Sequence, residues 1–425
     1  MRELKTFDRF LLIQVLLIGL LLVGETIFFF FEQNYFNTFL VHVLELEEFY
    51  VTIMVSLSAA MGFISQVILG TLSDNTRTKY GRRRLFLLFG SVVAGISMIM
   101  FAFSNNFLLC IIIDVIIIGP TTNAYIVAGR SLIPDLVEKK KRGRANGIIN
   151  ILGNVGLLIA LIFFLLANEL FAVPNPNGTG TIIPRSGHLF LFMIGGLTLL
   201  FCGVIGFIFI REKPVSELPP KQKFFQSLKE TFNIDALTKH REFFKFFVAL
   251  TVFRAGISTI MPFLFIYIFG LGLSTLELLL AIGLSFPILF FILLYLGKLV
   301  DKFGRKRFLP LVIMVSCIGL FFVPFTIEGD KINLVLVYFS FPFVIVSLLG
   351  LISPINAWSQ DLLPEAKRGQ FTGILNFTNT MSQVLGAVAA GLIATFINVK
   401  WVFPFAALFF IGSIPFFRLV KDTLD

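Results

Sequence analysis

The chain has 425 residues, 57% apolar and 14% charged, with 54 Phe and a mean hydropathy of +0.91. A soluble chain carries about 25% charged and at most about 50% apolar residues, so a soluble enzyme, a disordered chain and a nucleic-acid-binding domain are excluded. The net charge of +10 does not reverse this, because the basic residues are distributed as in a membrane protein.

A segment of roughly 20 apolar residues spans a bilayer. Twelve such spans follow in chain order, near 10–41, 49–72, 85–103, 107–128, 147–169, 187–210, 246–270, 276–297, 308–326, 333–353, 371–396 and 402–420. Of 35 Lys and Arg, 31 lie at the two termini or in the segments 73–84, 129–146, 211–245, 298–307 and 354–370. The alternate segments hold only Arg185, Lys331 and Lys400, and Arg254 lies inside a span. This bias puts both termini in the cytoplasm. The first span is too long for a secretory h-region and has no small-residue cleavage pattern. Cys110, Cys202 and Cys317 all fall in spans, so no disulfide framework is implied. The three His are at or beyond span ends, too scattered for a metal site, and no metal or cofactor is expected. Asn177-Gly178-Thr179 matches a glycosylation acceptor in an outer segment.

The chain contains an internal repeat. Gly70-Thr-Leu-Ser-Asp74 with Gly81-Arg-Arg-Arg84 recurs as Gly297-Lys-Leu-Val-Asp301 with Gly304-Arg-Lys-Arg307, at an offset of 227 for the aspartates. Asp135, Arg142-Gly143, Gly147 and Asn150 recur as Asp361, Arg368-Gly369, Gly373 and Asn376, at an offset of 226. The expected architecture is therefore an all-α membrane protein of twelve helices in two six-helix, pseudo-symmetric bundles, 1–210 and 246–425. The segment 211–245, with Pro214, Pro219, Pro220 and many Lys, reads as a cytoplasmic linker. Its stretch Lys223–Phe232 has the pattern of a short amphipathic surface helix.

A Gly-x-Leu-x-Asp…Gly-Arg-[Arg/Lys] loop between the second and third helices, repeated between the eighth and ninth, resembles the signature loop of the major facilitator superfamily. The first copy has four extra residues between Asp74 and Gly81, a form similar to the glycoside–pentoside–hexuronide:cation symporters and their sucrose/proton relatives. Asp114, Gly119-Pro120, Pro134-Asp135-Leu136, Arg144-Ala145-Asn146 and Gly153-Asn154 resemble the fourth and fifth helices of the sucrose-type branch. Glu32-Gln-Asn-Tyr35 resembles the Glu-x-x-Tyr of animal proton/sugar members. The resemblance implies a secondary transporter with its site near the midplane between the two halves. The sequence also departs from these relatives. The fifth span lacks the basic residue of sucrose-type members and the Gly-Pro pair of drug/proton antiporters. The second span lacks the carboxylates of sodium-using members, which favours protons.

The loop chemistry stands without the resemblance. An Asp at the cytoplasmic end of a helix can pair with a loop Arg and accept N–H bonds from a facing helix start. Asp74, Arg82, Arg83, Arg84, Asp135 and Arg142, with Asp301, Arg305, Asp361 and Arg368 in the second half, are thus candidates for a cytoplasmic gate. The alternative is that the arginines only set topology.

Charges inside spans cost roughly 2.5–3.5 kcal/mol on insertion scales and mark function by default. Four lie deep: Glu25, Glu32, Asp114 and Arg254. Asp114 sits in Ile111-Ile-Ile-Asp-Val-Ile-Ile-Ile118, so it must face a cavity, a proton or a cation. Asp114, Glu25 and Glu32 are the cation-coupling candidates. Asp114 could instead pair with Arg254. Arg254 could neutralise a carboxylate, hold cargo with its planar fork or snorkel to the inner surface. Gln66, Asn123, Asn154, Asn376, Asn379 and Gln383 add amides that either meet cargo hydroxyls, together with Glu25 and Arg254, or bond helices together.

The expected function is proton-coupled sugar or glycoside symport by a monomer. The alternatives are a lipid or amphiphile carrier of the same fold and a transport-inactive receptor or scaffold. The partners expected are a small-molecule cargo and the lipid bilayer, and not nucleic acid.

Overall fold

The computed structural model describes residues 8–138, 141–176, 178–212, 241–303, 305–329, 331–351, 355, 358–359, 362 and 368–421, with side chains at 293–294, 296–305 and 368–376 outside the description. Most of the expected linker (213–240 of 211–245, with its amphipathic stretch), Asn177 and Asp361 lie outside the described residues, as do the side chains of Asp301, Arg305, Arg368 and Asn376.

Among the described residues twelve main helices follow: α1 Arg9–His42, α2 Glu48–Asn75, α3 Arg84–Phe101, α4 Phe107–Leu136, α5 Arg142–Phe171, α6 Arg185–Phe209, α7 Arg241–Gly270, α8 Thr275–Phe303, α9 Arg305–Phe322, α10 Leu334–Gly350, α11 Arg368–Phe396 and α12 Val402–Leu419. Eleven are long and apolar enough to cross a bilayer, and α10 is a shorter apolar helix. The expected all-helical membrane fold is present. Two outer segments add short antiparallel pairs that sequence periodicity did not indicate: β1 (Val173–Pro174) with β2 (Thr181–Ile182), and β3 (Ile327–Glu328) with β4 (Lys331–Ile332). Ladders of two residues leave no alternation to read.

The contacts divide the chain into two units. The first is Met1–Glu45, Ala60–Ala172 and Ile183–Leu228; the second is Leu46–Ala59, Val173–Ile182 and Lys229–Asp425. In the first unit α1 packs on α5 and α6, and α3 packs on α6 and α4. In the second unit α7 packs on α11 and α12, and α9 packs on α12 and α10. The same helix pairs recur six elements later, so the repeat in the sequence is also a repeat in the packing.

Small residues set how closely α3 and α6 approach. A Cβ on Gly196 would strike the Gly95 carbonyl, and one on Gly203 would strike the Ser91 side chain. Close backbone approach of this kind is how membrane helices gain packing energy. Gly196→Val is therefore expected to lower stability by about 1–3 kcal/mol through overpacking. Thermal unfolding of the purified protein checks it; an unchanged midpoint would show that the helices can part without cost.

Aromatic side chains fill the end of the first unit where α1 finishes and α6 begins. Phe36 stacks on Phe101 at 3.8 Å, and Phe192 meets both edge-on. His188 is fully buried here, with Nε2 at 3.0 Å from Thr38 Oγ1, and its ring lies 6.3 Å from that of His42. Two of the histidines that look scattered in sequence thus meet where α1 ends and α6 begins.

Candidate functional site

Two groups of charge lie along α1 and α4 in the first unit. Glu25 and Glu32 are seven residues apart on α1, two turns and about 10 Å along one edge. Tyr125 fixes α4 against that edge, its buried hydroxyl donating to Leu21 O at 2.8 Å. Five residues further along α4, Arg130 Nη2 donates to Glu25 Oε1 at 2.8 Å. The Glu25 side chain is 11% exposed and that of Arg130 65%, so the pair is buried on the acid side only. Charge assistance shortens such bonds and strengthens them.

Arg130 corrects the reading of the fourth span. That span was expected to end at residue 128, with Arg130 among the loop residues, but α4 continues to Leu136 through Pro134. Arg130 therefore partners one of the deep charges, although its own side chain is mostly exposed. The missed signal was Glu25 itself, a carboxylate that needs a cation on a neighbouring helix.

Nearer the outer end, Asp114 is buried, and Glu32 lies within electrostatic reach of it. Glu32 Oε2 is buried without a hydrogen-bond partner. Carboxylates within electrostatic reach of one another resist ionising together. The edge of α1 therefore carries an ion pair at one level and a pair of acids at the next.

The amides divide. Asn123 Nδ2 donates to Gly119 O of its own helix at 2.8 Å, which leaves its oxygen for other partners. Asn154 is exposed on α5 and Gln66 half-buried on α2. In the second unit Arg254 Nη1 donates to Thr378 Oγ1 at 2.8 Å, joining α7 to α11. Asn379 on α11 is exposed and Gln383 half-buried. Among the described residues no group of three His, Cys, Asp or Glu could hold a metal.

The first signature loop forms a compact charge cluster within the first unit. Asp74 pairs with Arg83 and Asp135 pairs with Arg82. Arg83 also gives Nε to Asp135 Oδ2 at 3.3 Å and Nη1 to Ser73 Oγ at 2.7 Å. Both guanidiniums are buried. Burial works against the Arg82 charge, but the hydrogen bond to Asp135 and the charges of Asp135, Asp74 and Glu212 outweigh it and hold the group above its ordinary value. Arg84 and Arg142 serve differently from the carboxylate pairing expected of them. Arg84 Nε donates to Phe207 O, and Arg142 donates to Val137 O and Pro134 O. Both satisfy carbonyls near helix ends that lack intrahelical partners.

Glu212 was not anticipated. Its carboxylate accepts the backbone N–H of Arg82, Arg83 and Arg84 at 2.9, 2.9 and 2.8 Å, and so caps α3. Gly81 makes room for it: φ is +106° there, and a Cβ would lie 2.5 Å from Glu212 Oε1. Glu212→Ala is expected to cost about 0.5–2 kcal/mol, the range for a lost N-cap. A thermal midpoint equal to that of the parent protein would exclude the cap.

Comparison with known proteins places this arrangement. The family model described as Major Facilitator Superfamily matches residues 21–384 and 279–424. Over 84% of this chain and 82% of its own length, the proton-coupled antiporter flippase LtaA of Staphylococcus haemolyticus (strain JCSC1435) is 22% identical. Multidrug resistance protein 2 of Bacillus subtilis (strain 168) is 22% identical over 94% of this chain and 96% of its own. Among solved structures, the nucleoside transporter NupG superposes with a TM-score of 0.70 at 15% identity, over 97% of this chain and 99% of that one. An inward-facing, unoccupied bacterial homologue of the human lysosomal transporter Spinster gives 0.68 at 14%, over 97% and 96%. The family model, the twelve helices and the paired signature loops agree, and the chain belongs to the major facilitator superfamily.

Proposed function

We propose that the chain is a proton-coupled secondary transporter, working by alternating access, whose cargo is a sugar or glycoside. The observation that carries the coupling reading is the pair Glu32 and Asp114: a buried acid within electrostatic reach of a half-buried one whose Oε2 is orphaned. Such a pair holds a proton where a membrane protein has few other means of binding one. Glu25 and Arg130 form the second station, and the Arg82–Arg83–Asp135–Asp74 cluster serves as the cytoplasmic latch in the first half. The motifs around Asp114 and Glu32 support the sugar or glycoside assignment. The basic-residue bias supports cytoplasmic termini, and the protein acts as a monomer.

A second reading is an amphiphile carrier. It is favoured by the two 22%-identical relatives, whose names are those of a flippase and a multidrug resistance protein. Purified protein in liposomes, offered labelled sugars and labelled lysolipids under a pH gradient, separates the two. Sugar uptake supports the first reading; lysolipid movement without sugar uptake replaces it with the second.

A further inference from the structure

The connection between α5 and α6 has thirteen residues, 172–184, whereas its repeat counterpart between α11 and α12 has five, 397–401. The extra length forms the β1–β2 hairpin, on the side opposite the signature loops. Asn175 N–H donates to Gly180 O at 3.0 Å and closes the hairpin near its tip. By sequence the hairpin belongs to the first half, yet its contacts place Val173–Ile182 in the second unit. Its roots, Ala172 and Ile183, stay in the first unit. Ile183 is fully buried there, and its N–H donates to His42 Nδ1 at 3.3 Å.

The hairpin's seat, within the second unit, is the corner between α7 and α8. Two glycines meet at that corner. Gly180 has φ +88°, and a Cβ on it would lie 2.5 Å from both Phe269 O and Gly270 O. Gly272 has φ +62°, and a Cβ on it would lie 2.9 Å from Gly180 Cα. Both angles favour glycine, and the missing side chains let backbone meet backbone. Thr181 Oγ1 adds a long hydrogen bond to Phe269 O at 3.4 Å. The seat is specific in shape but shallow. None of the described residues in 173–182 is buried, and a cavity of about 140 Å³ lies between the hairpin tip, the corner and Ile327 and Ile332 of the β3–β4 pair. A contact that buries so little apolar surface parts at low cost. The arm has no slack either. Gly180 stands three residues from the anchored Ile183, at most about 11 Å of chain, and those residues are already extended as β2.

We infer that the β1–β2 hairpin is a strap of alternating access. Seated on the α7–α8 corner it holds the side opposite the signature loops shut, and it leaves the seat each time that side opens. The inference rests on the alternating-access reading above. The second half has no second copy of the strap, because the α11–α12 connection is too short to form one.

The test uses the full-length protein with Cys110, Cys202 and Cys317 replaced by Ala and with Thr179→Cys and Gly270→Cys added. Thr179 is exposed on the hairpin, and a Cβ at Gly270 meets nothing within 4 Å. A short, cleavable bifunctional thiol reagent should link the two. Linking should stop cargo exchange, and cleavage should restore it. Exchange at the unlinked rate in fully linked protein overturns the strap. Adding Gly180→Val, whose side chain cannot enter the seat, should cut the link yield about tenfold, at the low end of what overpacking costs. Thr181→Val adds no bulk and should lower the yield by less. A yield that neither change alters overturns the seat, and the inference with it. Failure of the reading beneath looks different: the unlinked protein then moves neither labelled sugar nor labelled lysolipid, which removes the strap's task whatever the link yields.

Discussion

Asp114→Asn abolishes pH-driven accumulation of cargo and leaves cargo exchange in place. Asp114 is 3% exposed, within a run of Ile and Val. An ionised carboxylate there is costly unless a proton or a cation compensates it. Glu32 adds a second acid within electrostatic reach; in the coupling role proposed above, the pair would bind a proton in one state and release it in another. Asparagine mimics the protonated form permanently. Uphill transport needs release and stops; exchange of cargo down its own gradient does not need release and continues. Glu32→Gln should give the same split. Full accumulation by well-expressed Asp114→Asn would remove the coupling role.

The second large effect is on stability. Asp135→Asn leaves the buried guanidiniums of Arg82 and Arg83 without their shared carboxylate. Breaking a buried ion pair from one side costs about 3–5 kcal/mol, so the protein should express poorly and unfold at a markedly lower temperature. Asp74→Asn should cost far less, since the Asp74 side chain is 59% exposed and Arg83 keeps Ser73 and Asp135. Arg83→Gln added to Asp135→Asn should recover part of the loss. Equal melting temperatures for Asp74→Asn and Asp135→Asn would contradict the assignment of Asp135 as the centre of the cluster.

Much of this was legible in the sequence. Apolar runs located all twelve helices, since a bilayer-length segment leaves little choice of structure. The two offsets, 227 and 226, foretold a packing pattern that repeats after six helices. The Asp74–Arg83 pair followed from an Asp at a helix end facing a basic loop. What escaped depends on geometry that composition does not encode. Arg130 read as one of the loop residues that set topology; only its reach to Glu25 shows that it partners a buried carboxylate while staying mostly exposed itself. Glu212 is one acid at the edge of a Lys-rich segment, and its role appears only when Gly81 brings three backbone N–H groups to it.

Proton movement accompanying cargo is the central claim, and one measurement reaches it directly. Wild-type protein is placed in lightly buffered liposomes with a pH-sensitive dye trapped inside, and a labelled cargo from the sugar panel is added outside with no imposed gradient. Symport predicts acidification of the interior in step with cargo entry, abolished in Asp114→Asn although that variant still exchanges cargo. Cargo entry with no change in internal pH would contradict proton coupling.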